Sequence, residues 1–164
     1  MSLVRNLEAM RIPVDLISRV ILSHWHSDHS GGLLSFLSVK KASGNSCVVD
    51  VHPDRPLSRG IAPGPNYDTI IGALPRDPSF EEISALGGIL ETHAEEHTVA
   101  ENTVYVSGEI PRLTSFEIGL LGAMRWTKED STNKEGKWIE EPHIMDERYA
   151  AIDVLGRGLV IFSA

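Results

Sequence analysis

The stretch 19-RVILSHWHSDHSGGLL-34 places an apolar run directly before a cluster of polar side chains. Three of the chain's seven histidines and one aspartate fall within it, as His24, His26, Asp28 and His29. The β-branched residues of "RVILS" predict a short buried strand, and the two glycines allow a tight turn into a helix. The four polar side chains are therefore predicted to lie at the carboxyl end of a buried strand.

The spacing of these four residues is typical of metal ligands. His24 and His26 are two positions apart, so in an extended segment both imidazoles point to the same side and can reach one ion. Asp28 and His29 follow the turn and can address a second position nearby. Imidazole with carboxylate suits zinc, and also iron or manganese. A lone histidine is usually only a polar or packed residue, but this set favours a metal site. We interpret Trp25 as a packing residue.

Helix and strand patterns alternate along the rest of the chain. Helices are predicted over 2–11, 33–41, 79–88 (with a Ser79/Glu82 capping box) and 113–119. Strands are predicted at 47–51, within 89–108 and in both halves of 149–164. Residues 53–78, with six of the nine prolines, predict a long loop with one short strand at 67–71, and 125–147 predict an exposed excursion. This order predicts one layered α/β or α+β domain over 1–164.

Composition narrows the class of function. The formal net charge is -8, from 15 basic and 23 acidic residues, and no block of five basic residues occurs, which counts against a nucleic-acid binder. The single cysteine, Cys47, excludes an internal disulfide and fits a reducing compartment. Neither a run of eighteen apolar residues nor a secretion signal is present. We therefore expect a cytoplasmic protein without a membrane span.

The segment "SHWHSDHSGG" (23–32) resembles the His-x-His-x-Asp-His signature of the metallo-β-lactamase superfamily. Three longer segments, "NLEAMRIPVDLISRVILSHWHSDHSGGL", "VSGEIPRLTSFE" and "GRGLVIFSA", resemble one branch, the pterin-related, dihydropteroate-like synthases of methanopterin biosynthesis and their fungal and bacterial relatives. The resemblance implies an αββα sandwich with one or two metal ions at its edge. It further implies that His24 and His26 bind the first ion and that Asp28 and His29 bind the second. Asp28 would also handle a proton of the attacking water.

In that branch, the strand matching "GLVIFSA" leads into a Cys-Ser-His segment with the next ligand, and further strands precede the first helix. The resemblance therefore implies a partial sandwich with two evident ligands per metal position, whereas catalytic zinc usually has three. Weakened or absent metal binding, exposed strand edges and self-association are the expected consequences.

Three functions stay open at this point. The first is a metal-dependent hydrolase acting on a small molecule such as a lactam, an ester or a phosphate-bearing compound. The second is an inactive or partner-dependent fragment of such an enzyme. The third is a metal-dependent nuclease, against which the acidic charge balance counts.

A second histidine pattern occurs in "HAEEH" (93–97). His93, Glu96 and His97 match the H-x-x-E-H pattern of inverted zinc peptidases, which requires a helix that brings both histidines to one face. The flanking segments are rich in β-branched residues, which favours strands. We interpret these residues as polar strand residues, with a role as the missing metal ligand left open.

Substrate-binding candidates are His52, Glu109 and Arg112. His52 follows a predicted strand, so it either lines the cleft at the sheet edge or only ends the strand. Arg112, in "GEIPR" with Glu109, can grip an anionic group through two hydrogen bonds or form a surface ion pair. Trp126 and Trp138 either form part of a lid or anchor the polar excursion to the domain.

Overall fold

The computed structural model of the protein describes residues 2–127 and 136–163. Its helices are α1 (Ser2–Ala9), α2 (Ser27–Ser30), α3 (Leu33–Ala42) and α4 (Phe80–Ala85), with a 3-10 turn at Val14–Leu16. Its strands are β1 (Arg19–Ile21), β2 (Cys47–Val51), β3 (Ser58–Ile61), β4 (Gly72–Ala73), β5 (Gly88–Thr92), β6 (His97–Val99), β7 (Val104–Val106), β8 (Ala123–Thr127), β9 (Lys137–Glu140), β10 (Ala150–Val154) and β11 (Gly158–Phe162).

The strands of the described ranges form three sheets. A parallel sheet has the order β1-β2-β5, and two antiparallel sheets have the orders β11-β10-β7-β6 and β4-β3-β8-β9. In the parallel sheet Val20 lies opposite Val49, which lies opposite Leu90. Because strands and helices alternate around a parallel sheet, this is the mixed α/β fold predicted from the sequence.

Helices α3 and α4 cover one face of the parallel sheet. Phe36 and Leu37 of α3 and Ile83 of α4 are completely or almost completely buried against Val49 and other residues of β2. Burial of one such side chain contributes about 1.5–3 kcal/mol. The capping box predicted at Ser79 and Glu82 is confirmed at the start of α4, since the Ser79 side chain accepts from the Glu82 backbone N–H and the Glu82 side chain accepts from the Ser79 backbone N–H.

The first helix approaches the start of α3 closely. A Cβ atom at Gly32 would lie only 2.7 Å from the Cβ of Leu3, so this contact requires a glycine. Met10, which falls within the helix predicted over 2–11, lies past the end of α1 and is exposed. No helix within 2–127 and 136–163 has the length and apolar character needed to cross a membrane.

Two predicted elements between 53 and 119 are wrong. The short strand predicted at 67–71 is absent, and the strands of this region are β3 and β4 instead. β3 pairs with β8, and Arg59 lies opposite Arg125. Because this strand is stabilised by a partner that is distant in the sequence, its own residues show no alternation of apolar and polar side chains that would predict it. The helix predicted over 113–119 is a turn, in which Glu117 accepts from the backbone N–H groups of Leu113 and Thr114.

The exposed excursion predicted over 125–147 is also corrected. Its described part forms the hairpin of β8 and β9, while 128–135 lie outside the described residues. Trp126 lies opposite Trp138, with ring centroids 5.4 Å apart in an edge-to-face arrangement that anchors the hairpin. Glu141 and Asp146 are buried, because ion pairing allows polar residues to lie inside the fold.

Candidate metal centre

The histidine motif lies directly after β1, as predicted. The Leu22 N–H donates to the carbonyl of Asp50 at 2.9 Å, which continues the sheet pairing up to the motif. His26 has an extended backbone, and the helical turn α2 begins at the next residue. Because the chain changes from extended to helical at this point, His24, His26 and His29 come together on one side.

The three imidazoles of the motif converge. Nε2 of His24 lies 2.9 Å from Nδ1 of His26, and the ring centroids of His24 and His29 are 4.2 Å apart. The Ser23 hydroxyl lies 3.2 Å from Nδ1 of His24 and 3.4 Å from Nδ1 of His29, so it contacts two of the rings. Asp28 lies at the rim, with 82% of its side chain exposed and its carboxylate 3.7 Å from Nε2 of His29.

Trp25 fixes the backbone between the first two histidines. Its N–H donates to Oδ2 of Asp146 at 2.6 Å, and its indole N–H donates to the carbonyl of His52 at 3.1 Å. The ring is completely buried and packs against Phe80, with centroids 5.9 Å apart. The packing role predicted for Trp25 agrees with this geometry.

A buried ion-pair network lies beneath the motif. Arg59 donates to the carbonyl of Trp25, to Asp146 at 2.5 Å and to Glu141 at 2.8 Å. Burial lowers the pKa of Arg59, but the hydrogen bonds that its guanidinium donates to Glu141 and Asp146 raise it more, so the guanidinium stays charged. The sequence offered no signal for these supports, because Arg59 lies in a proline-rich segment and Asp146 in a charged one.

The electrostatic setting favours neutral imidazoles. Burial, together with repulsion from His29 and His26, lowers the pKa of His24 from 6.5 to about 4. Burial and then the charge of Arg59 lower the pKa of His26. Metal ligation requires the neutral form, so these two converging nitrogens are a donor set that fits a divalent transition metal at neutral pH.

Comparison with known proteins agrees with this geometry. Residues 1–113, more than half of the chain, match the sequence profile of the metallo-β-lactamase superfamily. The chain belongs to the metallo-β-lactamase superfamily. A similar solved structure is Tm1679, described as a metal-dependent hydrolase of the β-lactamase superfamily, with a TM-score of 0.65 and 15% sequence identity. The similarity covers 98% of this chain and 50% of that one, so this chain spans half its length, and it shows the shared fold. No curated protein sequence matches the chain.

This metallo-β-lactamase chain has a second group of ligand-type residues. Asp50, His93 and His97 each place one ligand atom within 4.8 Å of the others, which could hold a metal ion. His93 follows β5 and His97 begins β6, so the helix that the peptidase pattern requires does not form. Asp50 was missed, because a lone acidic residue in "CVVDV" carries no signal of its own.

The substrate-binding candidates separate into two places. His52 is buried, and its Nε2 lies 3.2 Å from the Glu109 carboxylate. Arg112 forms an ion pair with Glu147 at 2.9 Å. Glu109 also lines a cleft of about 410 Å³ with Ala94, Glu95, Glu96, Tyr105, Ser107, Ile110, Pro111 and Tyr149.

Glycine permits the close packing on one side of this cleft. Gly108 has a positive φ of 66°, and a Cβ there would lie 2.5 Å from the carbonyl carbon of Glu95. Glycine at position 108 therefore allows Glu109 to lie against the 93–97 loop.

Proposed function

We propose that this chain carries the first part of a metal-dependent hydrolase site. In this proposal His24 and His26 bind one metal ion, and Asp28 and His29 bind a second. The observation that carries it is the convergence of His24 Nε2 and His26 Nδ1 at 2.9 Å, with the His29 ring beside them. Membership of the metallo-β-lactamase superfamily supports the same assignment.

Zinc is the metal that we propose, with iron or manganese as alternatives, because imidazole and carboxylate suit all three. When bound, such an ion activates a water molecule and polarises the bond that is cleaved. His24 and His26 contribute neutral nitrogens, and Ser23 and Trp25 keep their rings and backbone in place. Asp28 accepts a proton from the attacking water and passes it to solvent, a role that its 82% exposed side chain supports.

The proposed substrate is a small molecule such as a lactam, an ester or a phosphate-bearing compound, including the pterin-like compounds of the branch that the sequence resembles. We propose His52, Glu109 and Arg112 as binding residues. The three glutamates of the cleft beside His52 favour a neutral or cationic group there. Arg112 binds a phosphate or carboxylate only if it leaves Glu147.

A second candidate is a chain that needs a partner, or another copy of itself, for activity. The observation that favours it is the exposure of β11, in which Leu159 is 65% exposed and Phe162 is 59% exposed. Such a strand presents apolar surface, and among the described strands β11 pairs only with β10, so association would cover its other edge. A nuclease is the weakest candidate, since the net charge of -8 opposes a polyanionic substrate.

Elemental analysis and zinc titration test the proposal. We expect zinc binding that is weaker than in a site with three protein ligands, and we expect His24→Gln/His26→Gln to remove one class of sites. His143→Gln is the matched control, because the contact described for His143 is with Gly119 and not with a residue of the motif. Unchanged zinc binding in the double variant would overturn the assignment.

Activity is tested with zinc added to the full chain. Lactam, ester, phosphomonoester and nucleic-acid substrates are compared, with His24→Gln/His26→Gln as the inactive reference and His143→Gln as the active one. We expect hydrolysis of one of the first three that depends on His24 and His26. Inactivity toward every substrate, in a protein that holds its full complement of metal, would contradict the hydrolase and favour the partner-dependent chain.

A further inference from the structure

We propose that Asp50, His93 and His97 form a second, separate metal site, which binds a zinc-type transition metal at the junction of two sheets. Asp50 belongs to β2 of the parallel sheet, and His97 begins β6 of an antiparallel sheet. His93 follows β5, whose strand pairs with β2. A metal ion here would connect the two sheets as well as the two ends of the 93–97 loop.

The ligand atoms are close to the spacing that one ion requires. Nε2 of His97 lies 2.8 Å from Oδ2 of Asp50, and one atom from each of the three residues falls within 4.8 Å of the others. Donors about 2.1 Å from one ion are at most about 4.2 Å apart. His93 has 36% of its side chain exposed, so a small rotation of its ring closes the remaining gap.

The hydrogen bonding of His97 indicates that a cation belongs beside it. Its Nδ1 lies 3.3 Å from the carbonyl oxygen of Glu95, and its Nε2 faces the Asp50 carboxylate, so both ring nitrogens face acceptors. A neutral imidazole has only one N–H, so one nitrogen would present its lone pair to an oxygen. When Nδ1 donates to Glu95, a metal ion between Nε2 and Asp50 removes that repulsion.

His93 is the residue that distinguishes a metal ion from a proton in this place, once rotation of its ring out of the stack turns a nitrogen toward the ion. The rings of His93 and His97 stack, with centroids 3.9 Å apart and an interplanar angle of 22°. A proton joins one nitrogen to one oxygen, whereas a metal ion also takes the nitrogen of the second ring. A doubly protonated His97 without metal is the competing arrangement, and the experiment below separates the two.

Charges around the site indicate which metals it selects. Asp50 is completely buried, with Arg148 donating to Oδ1 at 3.0 Å and Arg19 lying 3.0 Å from Oδ2. Arg19 also pairs with Glu91 at 2.7 Å, so two carboxylates already balance two guanidiniums. Affinity must therefore come from the imidazoles, which favours zinc, nickel, copper or cobalt over magnesium or calcium.

This site is distinct from the histidine motif. His24 follows β1 and His93 follows β5, and β2 lies between these two strands. Neighbouring strands are about 4.8 Å apart, so the two positions are separated by about 10 Å. Substitutions in one site should therefore act independently of the other.

The test is a cobalt and zinc titration of the full-length variant His24→Gln/His26→Gln/His29→Gln, in which neither metal position of the motif keeps an imidazole. We expect this variant to bind one zinc per chain and to develop the visible absorption of cobalt bound by nitrogen and oxygen. Adding His93→Gln or His97→Gln should weaken that binding at least tenfold, while adding His143→Gln should leave it unchanged. Magnesium should not compete at equal concentration.

Two results would overturn the proposal. One is a folded His24→Gln/His26→Gln/His29→Gln variant that binds no metal and whose His97 shows the nitrogen chemical shifts of an imidazolium, which identifies the proton. The other is metal binding by that variant that survives the further substitutions His93→Gln/His97→Gln. If the starting variant does not fold, His93→Gln/His97→Gln is made in the otherwise unchanged chain. The number of zinc ions bound per chain should then fall by one, and an unchanged number would refute the site.

Discussion

The two histidine clusters of this protein are built in opposite ways. His24, His26 and His29 come from one short loop, and their convergence follows from a strand that ends and a helix that begins. Asp50 and His97 come from strands of different sheets, and only the packing of those sheets brings them together. Ligand-type residues can therefore cluster through local backbone geometry, which leaves a complete spaced motif, or through tertiary contact, which leaves a distant partner such as Asp50 without a signal in the sequence.

The clusters also differ in what they contribute to stability. The motif histidines lie at the end of a strand and have an exposed acidic neighbour, Asp28. Asp50 is part of a buried ion-pair network with Arg148. Burial raises the pKa of Asp50, but the hydrogen bonds from His97 and Arg148 outweigh it and hold the pKa below its usual range. We therefore expect the Asp50 cluster to be structural with or without metal, and the motif to be mainly a binding site.

The largest effect is expected at the buried partner of Asp50. Arg148→Met leaves that carboxylate without its main cation and removes hydrogen bonds to the carbonyls of Leu22 and Asp50. Breaking a buried pair costs about 3–5 kcal/mol, which urea unfolding measures. Arg157→Met, in the exposed turn before β11, is the matched control and should change stability by less than about 0.5 kcal/mol. Equal effects of the two would show that Asp50 is not a structural centre.

The next effect is a pH dependence to which the buried histidine His24 of the motif contributes. In metal-free protein the pKa of His24 is about 4, against 6.5 without the fold, so the unfolded chain takes up the proton first. The stabilising contribution is complete above about pH 6.5 and is lost as the pH falls toward 4, by about 3 kcal/mol in total. Urea unfolding in EDTA between pH 7 and 4 measures the loss. His24→Gln should make the curve less steep in this range while His26 keeps its own contribution, and a curve that the substitution leaves unchanged would contradict the role of burial.

A smaller effect is expected from the hydroxyl that contacts two rings of the motif. Ser23→Ala removes the contacts to Nδ1 of His24 and His29, so the imidazoles are less well oriented. Loss of such a partner weakens metal binding about 10–100-fold, which zinc competition titration measures. Ser38→Ala, exposed on α3, is the control. The Asp50 site should keep its affinity in both variants, and a parallel loss there would mean that the two sites are coupled.

The smallest effect on the free energy of unfolding is expected for Asp28, in contrast to Asp50. Asp28→Asn should change the free energy of unfolding by less than about 0.5 kcal/mol, because its side chain is 82% exposed. Asp50→Asn should destabilise the fold measurably, since it removes the charge that Arg148 and His97 face. Thermal unfolding of the two variants, side by side, checks this order, and a reversed order would contradict the division between binding and structural clusters.

Much of the local structure could be predicted from the sequence. The strand that precedes the motif, the third helix and the capped fourth helix follow from apolar spacing and capping residues, which act within a few positions. The strand β3 and the hairpin of β8 and β9 were missed, because their residues are polar or proline-flanked and become strands only by pairing. The buried Arg59 and Asp146 were missed for a related reason, since polar residues are predicted to be exposed unless their partners are known.

The sequence by itself determined the mixed α/β class and the convergence of His24, His26 and His29. These follow from hydrophobic periodicity and from a spacing that the backbone turns into proximity within one loop. Only the tertiary structure decided that Asp50 meets His93 and His97, and that Asp146 and Arg59 hold the motif loop. The physical reason is that these partners lie far apart in the sequence, by 47 positions for Asp50 and His97 and by 121 positions for Trp25 and Asp146. The packing of the sheets determines which of them meet, and no short stretch of the chain encodes that packing.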